Sequence, residues 1–570
     1  MISKKLRGAM TAFLMASSSI ATAEPVEPNA GAYLAARQAG KVADFEQAAR
    51  YYTGALRRDP THPALLENAL TANFALAAFE NAVDIADAMI ALGINRQLPN
   101  IILSTNAVKT GDWSGIFTAL EKDQRIGPVV DGLAQGWAHM ALGETDKAMS
   151  SFDEVSETAG LRSFGVYHKA LALASVGNYD EAIRIFDLTT ASGGLRHNRR
   201  SAMAHAQILS QLDRREDAVA LLDNVFGDAL DTRLQNLRDR IISGDAVPYN
   251  IVTNPTQGMS EIFLAVAEAL RGDAPDNYTL LYARASEFLT PDNTEALLLV
   301  ASLLEDLDRF ALANETYTAV SRDDPAYVIA ELGRAEVLRK ADNFEGATEV
   351  LRTLARDFSD MAAVYVSLGD TLRQSDQTEA ANAAYTTALE LYEKDDPARW
   401  IVFYTRAVTS HQLDRWTEAE ADFRAALKFR PDQPQILNYL GYSLVERGEK
   451  LEEALGMIEK AVSIQPQNGA IVDSLGWVLF QMGRYDEAVV HLENAAALEA
   501  VDPVVNDHLG DAYWAVGRET EAQFQWNRAL SFSNETSEDA LRIRRKLEIG
   551  LDAVLVEEGA EPIRVADGSQ

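Results

Sequence analysis

Gly483-Arg484-Tyr485-Asp486-Glu487-Ala488 decides the fold, because its order of turn residue, aromatic, acids and alanine recurs along the chain. It returns as Gly177-Asn178-Tyr179-Asp180-Glu181-Ala182, as Asp44-Phe45-Glu46-Gln47-Ala48 and as Asn343-Phe344-Glu345-Gly346-Ala347. Aligned on the alanine, the anchors run Ala48, Ala82, Ile116, Ala148, Ala182, Ala218, then Ala313, Ala347, Ala381, Ala419, Ala454, Ala488 and Ala522. Neighbouring anchors stand 32 to 38 residues apart, most often 34, except for one gap of 95 between Ala218 and Ala313. A fixed period of this size marks stacked supersecondary units.

Working outward from the anchors, each unit reads as two helices. Upstream comes a small-residue pair, Leu368-Gly369, Leu440-Gly441, Leu475-Gly476 or Leu509-Gly510, with Leu372, Leu444, Leu479 and Tyr513 three residues after each glycine. Leu475 and Leu479 share one helix face, and Gly476 lets the second helix come close. Four residues after the anchor stands an aromatic (Tyr52, Phe186, Tyr317, Tyr385, Phe423, Trp526), and twelve after it often a proline (Pro60, Pro325, Pro431, Pro466). Proline ends the second helix because it lacks the backbone donor and disfavours helix in the residue before it. Each pair exposes an apolar side that only the next pair can cover, so stacking follows.

The 34-residue period and these positions resemble the tetratricopeptide repeat across most of residues 29 to 534. The resemblance implies an all-α fold: a right-handed superhelical solenoid of helix-turn-helix repeats whose first helices line a concave groove. The expected organisation is an N-terminal array over 29–228, an irregular connection with one degenerate helix pair over 229–293, a C-terminal array over 294–534, and a capping helix with a frayed tail over 535–570. Asp245 to Gln257, with two prolines and no helical period, reads as extended, and Ser260 to Arg271 and Tyr278 to Phe288 as the degenerate pair. Ser537-Glu538-Asp539 reads as the start of the capping helix, and Arg542, Arg544, Arg545 and Lys546 as its solvated face.

Composition excludes several functions. Lys plus Arg number 52 against 85 Asp plus Glu, a net charge of −33 in 570 residues, which repels nucleic-acid phosphate and anionic lipid. Hydrophobic residues at 47% and charged residues at 24% are ordinary globular values, so the acidity does not imply disorder. With no cysteine there is no disulfide framework, thiolate metal site, thiol nucleophile or lipid-bearing cysteine. Met1 to Ala23 reads as a cleavable signal peptide: Lys4, Lys5 and Arg7, an apolar stretch from Ala9 to Met15, and Ala21-Thr22-Ala23 before Glu24. That places the mature chain in the periplasm, soluble and not lipidated, with no direct membrane insertion.

No enzyme motif is legible. The eight histidines form neither H-x-x-x-H nor H-E-x-x-H, and G-x-S-x-G, the P-loop and G-x-G-x-x-G are all missing. The reading is therefore a non-enzyme without catalytic residues, cofactor or metal. Acids such as Asp180-Glu181 and Asp486-Glu487 belong to helix starts. The strongest basic cluster, Gly193-Gly194-Leu195-Arg196-His197-Asn198-Arg199-Arg200, fits either an acidic partner or a loop between repeats.

Function should lie in the groove. Carried over from the repeat geometry, the groove positions of the C-terminal array are Tyr404, Asn438, Tyr439, Tyr442, Asp473, Trp477, Phe480, Asp507, His508, Asp511 and Trp514. Aromatics make interaction hot spots, and the interleaved acids select a basic or amine-bearing segment. For Tyr442 and Trp477, directly after Gly441 and Gly476, two readings stand: binding a partner, or wedging between helices. Asn438-Tyr439-Leu440-Gly441-Tyr442, Asp473-Ser474-Leu475-Gly476-Trp477 and His508-Leu509-Gly510-Asp511 resemble the C-terminal repeats of bacterial envelope tetratricopeptide adaptors of the periplasmic carboxyl-terminal processing protease, over about residues 434 to 534. That resemblance implies an adaptor that binds and activates the serine protease and helps present cell-wall hydrolases. Those adaptors are lipoproteins, and this chain has no cysteine to lipidate. The alternative is a periplasmic assembly scaffold for envelope machinery, such as polysaccharide export or outer-membrane biogenesis, without a protease.

Overall fold

The computed structural model describes residues 30–191, 197–227, 230 and 232–563. Among these are 31 helices and no strand beyond one isolated bridge between Arg271 and Ala274. The expected signal peptide, 1–23, lies outside the described residues. The fold is all-α, built of stacked helix hairpins, and the anchors show why: Ala48 is 1% exposed, Ile116 3% and all the other eleven anchors 0%. The close approach expected at the small pairs is also present. A Cβ on Gly476 would stand 2.5 Å from Leu492, on Gly510 2.5 Å from Trp526, and on Gly369 2.5 Å from Tyr385.

Local signals set the helix ends. Asn468 accepts from the Ile471 amide, Asp502 accepts from Val504 and Val505, and Pro434 and Pro503 occupy first turns, where no backbone donor is needed. The turn between paired helices needs one left-handed residue. Asp308, Asp342, Asp376 and Asp414 supply it with φ of 57° to 59°, and Gly483 and Gly517 with 75° and 83°.

The chain divides into two compact units, Met1–Ala341 and Asp342–Gln570. In the first, the segment 229–293 contains three helices: the end of a hairpin, Thr232–Ser243, and the pair Pro255–Leu270 and Asp276–Leu289, preceded by the extended stretch 245–254. This pair packs on the alternating first helices of its own unit. Asp276–Leu289 lies on Pro63–Ala75 and Gln97–Thr110, and Pro255–Leu270 lies on Pro128–Ala141 and Arg162–Ser175. Gly258 permits the closest approach: a Cβ there would stand 2.2 Å from the fully buried Trp137 ring.

In the second unit the first helices Arg399–Gln412, Pro434–Glu446, Gly469–Gln481 and Pro503–Ala515 stand in succession, each against its hairpin partner. The stack ends on Glu538–Ile549, capped by Ser537, whose hydroxyl accepts from the Ala540 amide. A short helix, Leu551–Glu557, follows. One expectation is corrected here. The basic stretch of the capping helix is only in part a solvated face: Arg545 is exposed, but Lys546 is fully buried, because the helix turns Ala540, Ile543 and Lys546 together onto the last repeat. Arg542 and Arg545 pair with Glu558 and Glu557, which ties Leu551–Glu557 back onto the cap. The backbone of Ile563 donates to Asp552 at 2.7 Å, so the described part of the tail is held.

Candidate functional site

The groove residues named from the sequence all fall on the first helices of the second unit. Tyr404, on Arg399–Gln412, is half-buried, and its ring meets Tyr439 edge-on at 6.4 Å. Tyr439, on Pro434–Glu446, also packs on Phe423 at 5.0 Å, and its hydroxyl lies 3.3 Å from His411 Nδ1. Burial pushes both tyrosines up in pKa and pulls His411 down, Arg447 adding to the latter. Asn438 and Tyr442 flank Tyr439 on the same helix, both half-buried. Burial and the carboxylates of Glu446, Asp473 and Asp539 push the Tyr442 hydroxyl far up.

The next helix brings Asp473, Trp477 and Phe480 onto one side. Trp477 stacks on the His508 imidazole at 3.9 Å and on Phe480 at 4.9 Å, while its indole donates to Glu446 at 2.8 Å. Phe480 is 8% exposed. Asp473 and His508 are both buried, and His508 Nδ1 lies 2.9 Å from the carboxylate. Burial pulls the imidazole down, but Asp473, with Asp507 and Asp511 behind it, more than reverses this and leaves His508 above its ordinary value.

At the end of the row the chain uses its own acids. Lys546 Nζ lies 2.8 Å from both Asp507 oxygens and 2.7 and 2.8 Å from those of Asp511. Asp511 also accepts from the Trp526 indole at 2.9 Å. The Trp514 indole donates to Asp552 at 2.8 Å, and its ring lies against Gly550, where a Cβ would meet it at 2.5 Å. Asp507, Asp511 and Trp514, expected to face a partner, therefore hold the cap. Sequence reading missed the donor, although Ala540, Ile543 and Lys546, spaced by three, already place the lysine on the buried stripe.

Between the Pro434, Gly469 and Pro503 helices a cavity of about 370 Å³ remains, walled by Asn438, Tyr439, Tyr442, Asp473, Asp502 and Val505 among others. Four of the eleven named residues thus meet at one opening. The helices packed on Pro434–Glu446 and Gly469–Gln481 are their chain neighbours.

The matching face of the first unit is filled. Tyr167 donates to Glu261 at 2.8 Å, and Arg200 bridges Glu261 and Glu295 at 2.9 and 3.0 Å. Arg199 and Arg233 also reach Glu295, whose carboxyl is held at about 2 by Arg200, Arg233 and Arg199 against its burial. Of the basic cluster at 193–200, residues 193–196 lie outside the described residues, while Arg199 and Arg200 pair within the chain. Gln97 donates to the Tyr282 hydroxyl at 3.0 Å, and Arg284 to the Ala75 carbonyl at 3.0 Å. Gln207 exchanges two hydrogen bonds with Asn250, at 2.8 and 3.0 Å. Among the described residues no group of three or more metal-ligating side chains converges, and no helix is long and apolar enough to cross a membrane.

Tetratricopeptide repeat models match residues 298–362, 332–396, 366–434 and 412–469, and a second tetratricopeptide model matches 470–500. A TPR repeat-containing protein of Pseudomonas aeruginosa is 32% identical over 99 residues, a stretch that spans 17% of this chain and 17% of that protein. Among solved structures, the Cut9–Hcn1 hetero-tetramer of the APC/C aligns at 13% identity with a TM-score of 0.38, over 91% of this chain and 96% of that one. A tetratricopeptide repeat protein from Parabacteroides merdae aligns at 16% identity with a TM-score of 0.36, over 45% and 98%. YrrB, described as a TPR protein with an unusual peptide-binding site, aligns at 20% identity with a TM-score of 0.29, over 35% and 99%. Over residues 298–500 the chain carries tetratricopeptide repeats, an architecture whose stacked units present extended binding surfaces.

Proposed function

We propose that this chain is a non-enzymatic periplasmic adaptor that binds and activates a carboxyl-terminal processing serine protease and helps present cell-wall hydrolases to it. The observation that carries the reading is the opening at Asn438, Tyr439, Tyr442 and Asp473, which lies within the 434–534 stretch that resembles such adaptors. Half-buried aromatics beside carboxylates offer a desolvated anchor and a charge preference, the ingredients of an interaction hot spot. The activation is a matter of proximity: holding protease and substrate on one chain raises their effective concentration without new chemistry. The periplasmic assignment rests on the signal-peptide reading of Met1 to Ala23.

The experiment combines residues 24–570 with a purified carboxyl-terminal processing protease and a cell-wall hydrolase, and measures the hydrolase cleavage rate. An increase of about tenfold or more, with co-elution of adaptor and protease, is expected, and added salt should weaken it because the surface is acidic. Neither complex nor acceleration contradicts the adaptor reading and moves the chain to the assembly-scaffold class.

A further inference from the structure

At the start of the helix Arg199–Gln211, three consecutive residues hold the elements that cover the first unit. Asn198 donates to Glu268 at 3.1 Å, Arg199 to Glu295 at 3.1 Å, and Arg200 to Glu261 and Glu295 at 2.9 and 3.0 Å. Glu261 and Glu268 belong to Pro255–Leu270. The residue just before these three, His197, is half-buried and faces another histidine two turns along: its Nε2 lies 3.3 Å from His205 Nδ1. His205 is 4% exposed and its ring stacks on Phe186 at 4.7 Å. The other nitrogen of each ring meets an oxygen. His197 Nδ1 lies 3.2 Å from the Ser201 hydroxyl, while His205 Nε2, buried without a hydrogen bond, stands 3.5 Å from Asp187 Oδ1.

We infer that the His197–His205 contact is an acid-sensitive latch: proton uptake by the two rings parts them, and the movement of His197 loosens the hold of residues 198–200 on Pro255–Leu270. The facing nitrogens accommodate one hydrogen between them, donated by one ring and accepted by the other. With both rings protonated, two N–H groups point at each other across 3.3 Å and the contact cannot persist. The charges around the pair oppose a second cation. Arg199 and Arg200 follow on the same helix, and Arg214 comes from the turn before Arg215–Phe226. Asp187, from Tyr179–Ala191, is 49% exposed and already pairs with Arg214 at 3.3 Å, as Asp217 does at 2.7 Å. Glu261, Glu268 and Glu295 are engaged by Asn198, Arg199, Arg200 and Arg233. From Arg162–Ser175 come Tyr167 and His168, and burial holds the latter neutral, at about 3. Burial, then His197 and Arg214, pulls His205 down to about 3, and burial pulls His197 down as well. Both folded values lie below the ordinary 6.5. The stability this pair contributes is therefore full above 6.5 and is lost as pH falls from there toward the folded values.

The test is hydrogen exchange on residues 24–570 at pH 6.5 and pH 5, with the intrinsic exchange rates divided out. Glu268 titrates with the opposite sign, since its raised carboxyl keeps a proton in the closed state, so the reference chain and every variant carry Glu268→Gln. Opening of residues 199–211 and 255–270 should increase about tenfold on going to pH 5. His205→Phe, which keeps a ring against Phe186 and takes no proton, should remove most of that rise. His197→Gln, at the half-buried partner, should reduce it, and His491→Gln, in the second unit, should leave it unchanged. Helix content by circular dichroism at pH 7 confirms that each variant folds. Equal opening of the reference chain at the two pH values overturns the inference, as does a rise that persists undiminished in folded His205→Phe or His197→Gln. Acid opening of 199–211 that leaves 255–270 protected overturns it too, because the latch would then hold nothing beyond its own helix.

Discussion

The two units are built from the same repeat and differ in what covers the first helices. In Met1–Ala341 the pair Pro255–Leu270 and Asp276–Leu289 lies on them, locked by Arg200, Glu261 and Glu295. In Asp342–Gln570 the same kind of face keeps a cavity at Asn438 and closes only at its end, through Lys546. The difference teaches that a repeat array does not by itself present a binding surface. An insertion within the array can use that surface for its own burial, and in this chain the segment behind the 95-residue gap does so.

The contrast breaks most easily at the lock. Arg200→Leu leaves Glu261, 2% exposed, without its buried counter-charge, while Glu295 keeps Arg199 and Arg233, and should destabilise the first unit by about 3–5 kcal/mol. Hydrogen exchange should report faster opening of residues 255–289 while 434–481 keeps its protection. At the cap, Lys546→Met leaves Asp507 and Asp511 facing each other, and a loss of about 3 kcal/mol is expected, read as exposure of 538–557 in the same experiment.

Glu268 sharpens the comparison in the other direction. Burial, then the nearby Glu261, raises its carboxyl to about 7. Its ionised form is therefore penalised in the folded state above that pH, and the unfolded chain, ionised from about 4.5, gains as pH rises between the two values. Glu268→Gln should stabilise the first unit by about 2 kcal/mol at pH 8 and change little at pH 5, measured by denaturant unfolding at both.

His508 gives the smallest effect, in the second unit and with the opposite sign of shift. Its folded pKa lies above the ordinary 6.5. The stabilisation from the Asp473 pair is thus full below 6.5 and is lost as pH rises through the folded value. A decline in stability on raising the pH through that window is expected, measured by denaturant unfolding, and His508→Gln should remove the dependence.

Sequence periodicity carried most of this fold because its cause is local. The anchors, the glycines at 369, 441, 476 and 510, and the capping residues act within one hairpin or between neighbours, so a 34-residue period records them. The filling of the first unit is invisible to that reading. Gln97 meets Tyr282, Arg284 meets Ala75 and Trp137 meets Gly258, pairs separated by more than a hundred residues with no repeat spacing between them. Residues 255–289 kept helical character but lost the anchor pattern, since they pack on first helices and not into the stack. The groove strip was legible as positions, and Asn438, Tyr439, Tyr442 and Asp473 do meet at one cavity. Which of its acids were already engaged was not, because Lys546 comes from outside the repeats. An arginine or lysine on a buried helix stripe, as at Arg200 and Lys546, is the sequence signal that points to such self-pairing.

The most direct measurement of the central claim is the hydrogen-exchange footprint of a carboxyl-terminal processing protease on the full mature chain. Protection confined to residues 434–446 and 469–481, with 63–75, 97–110 and 128–141 unchanged, is the result this account requires. Protection of the first-unit helices, with 255–289 released from them and the Asn438 region unchanged, would contradict it.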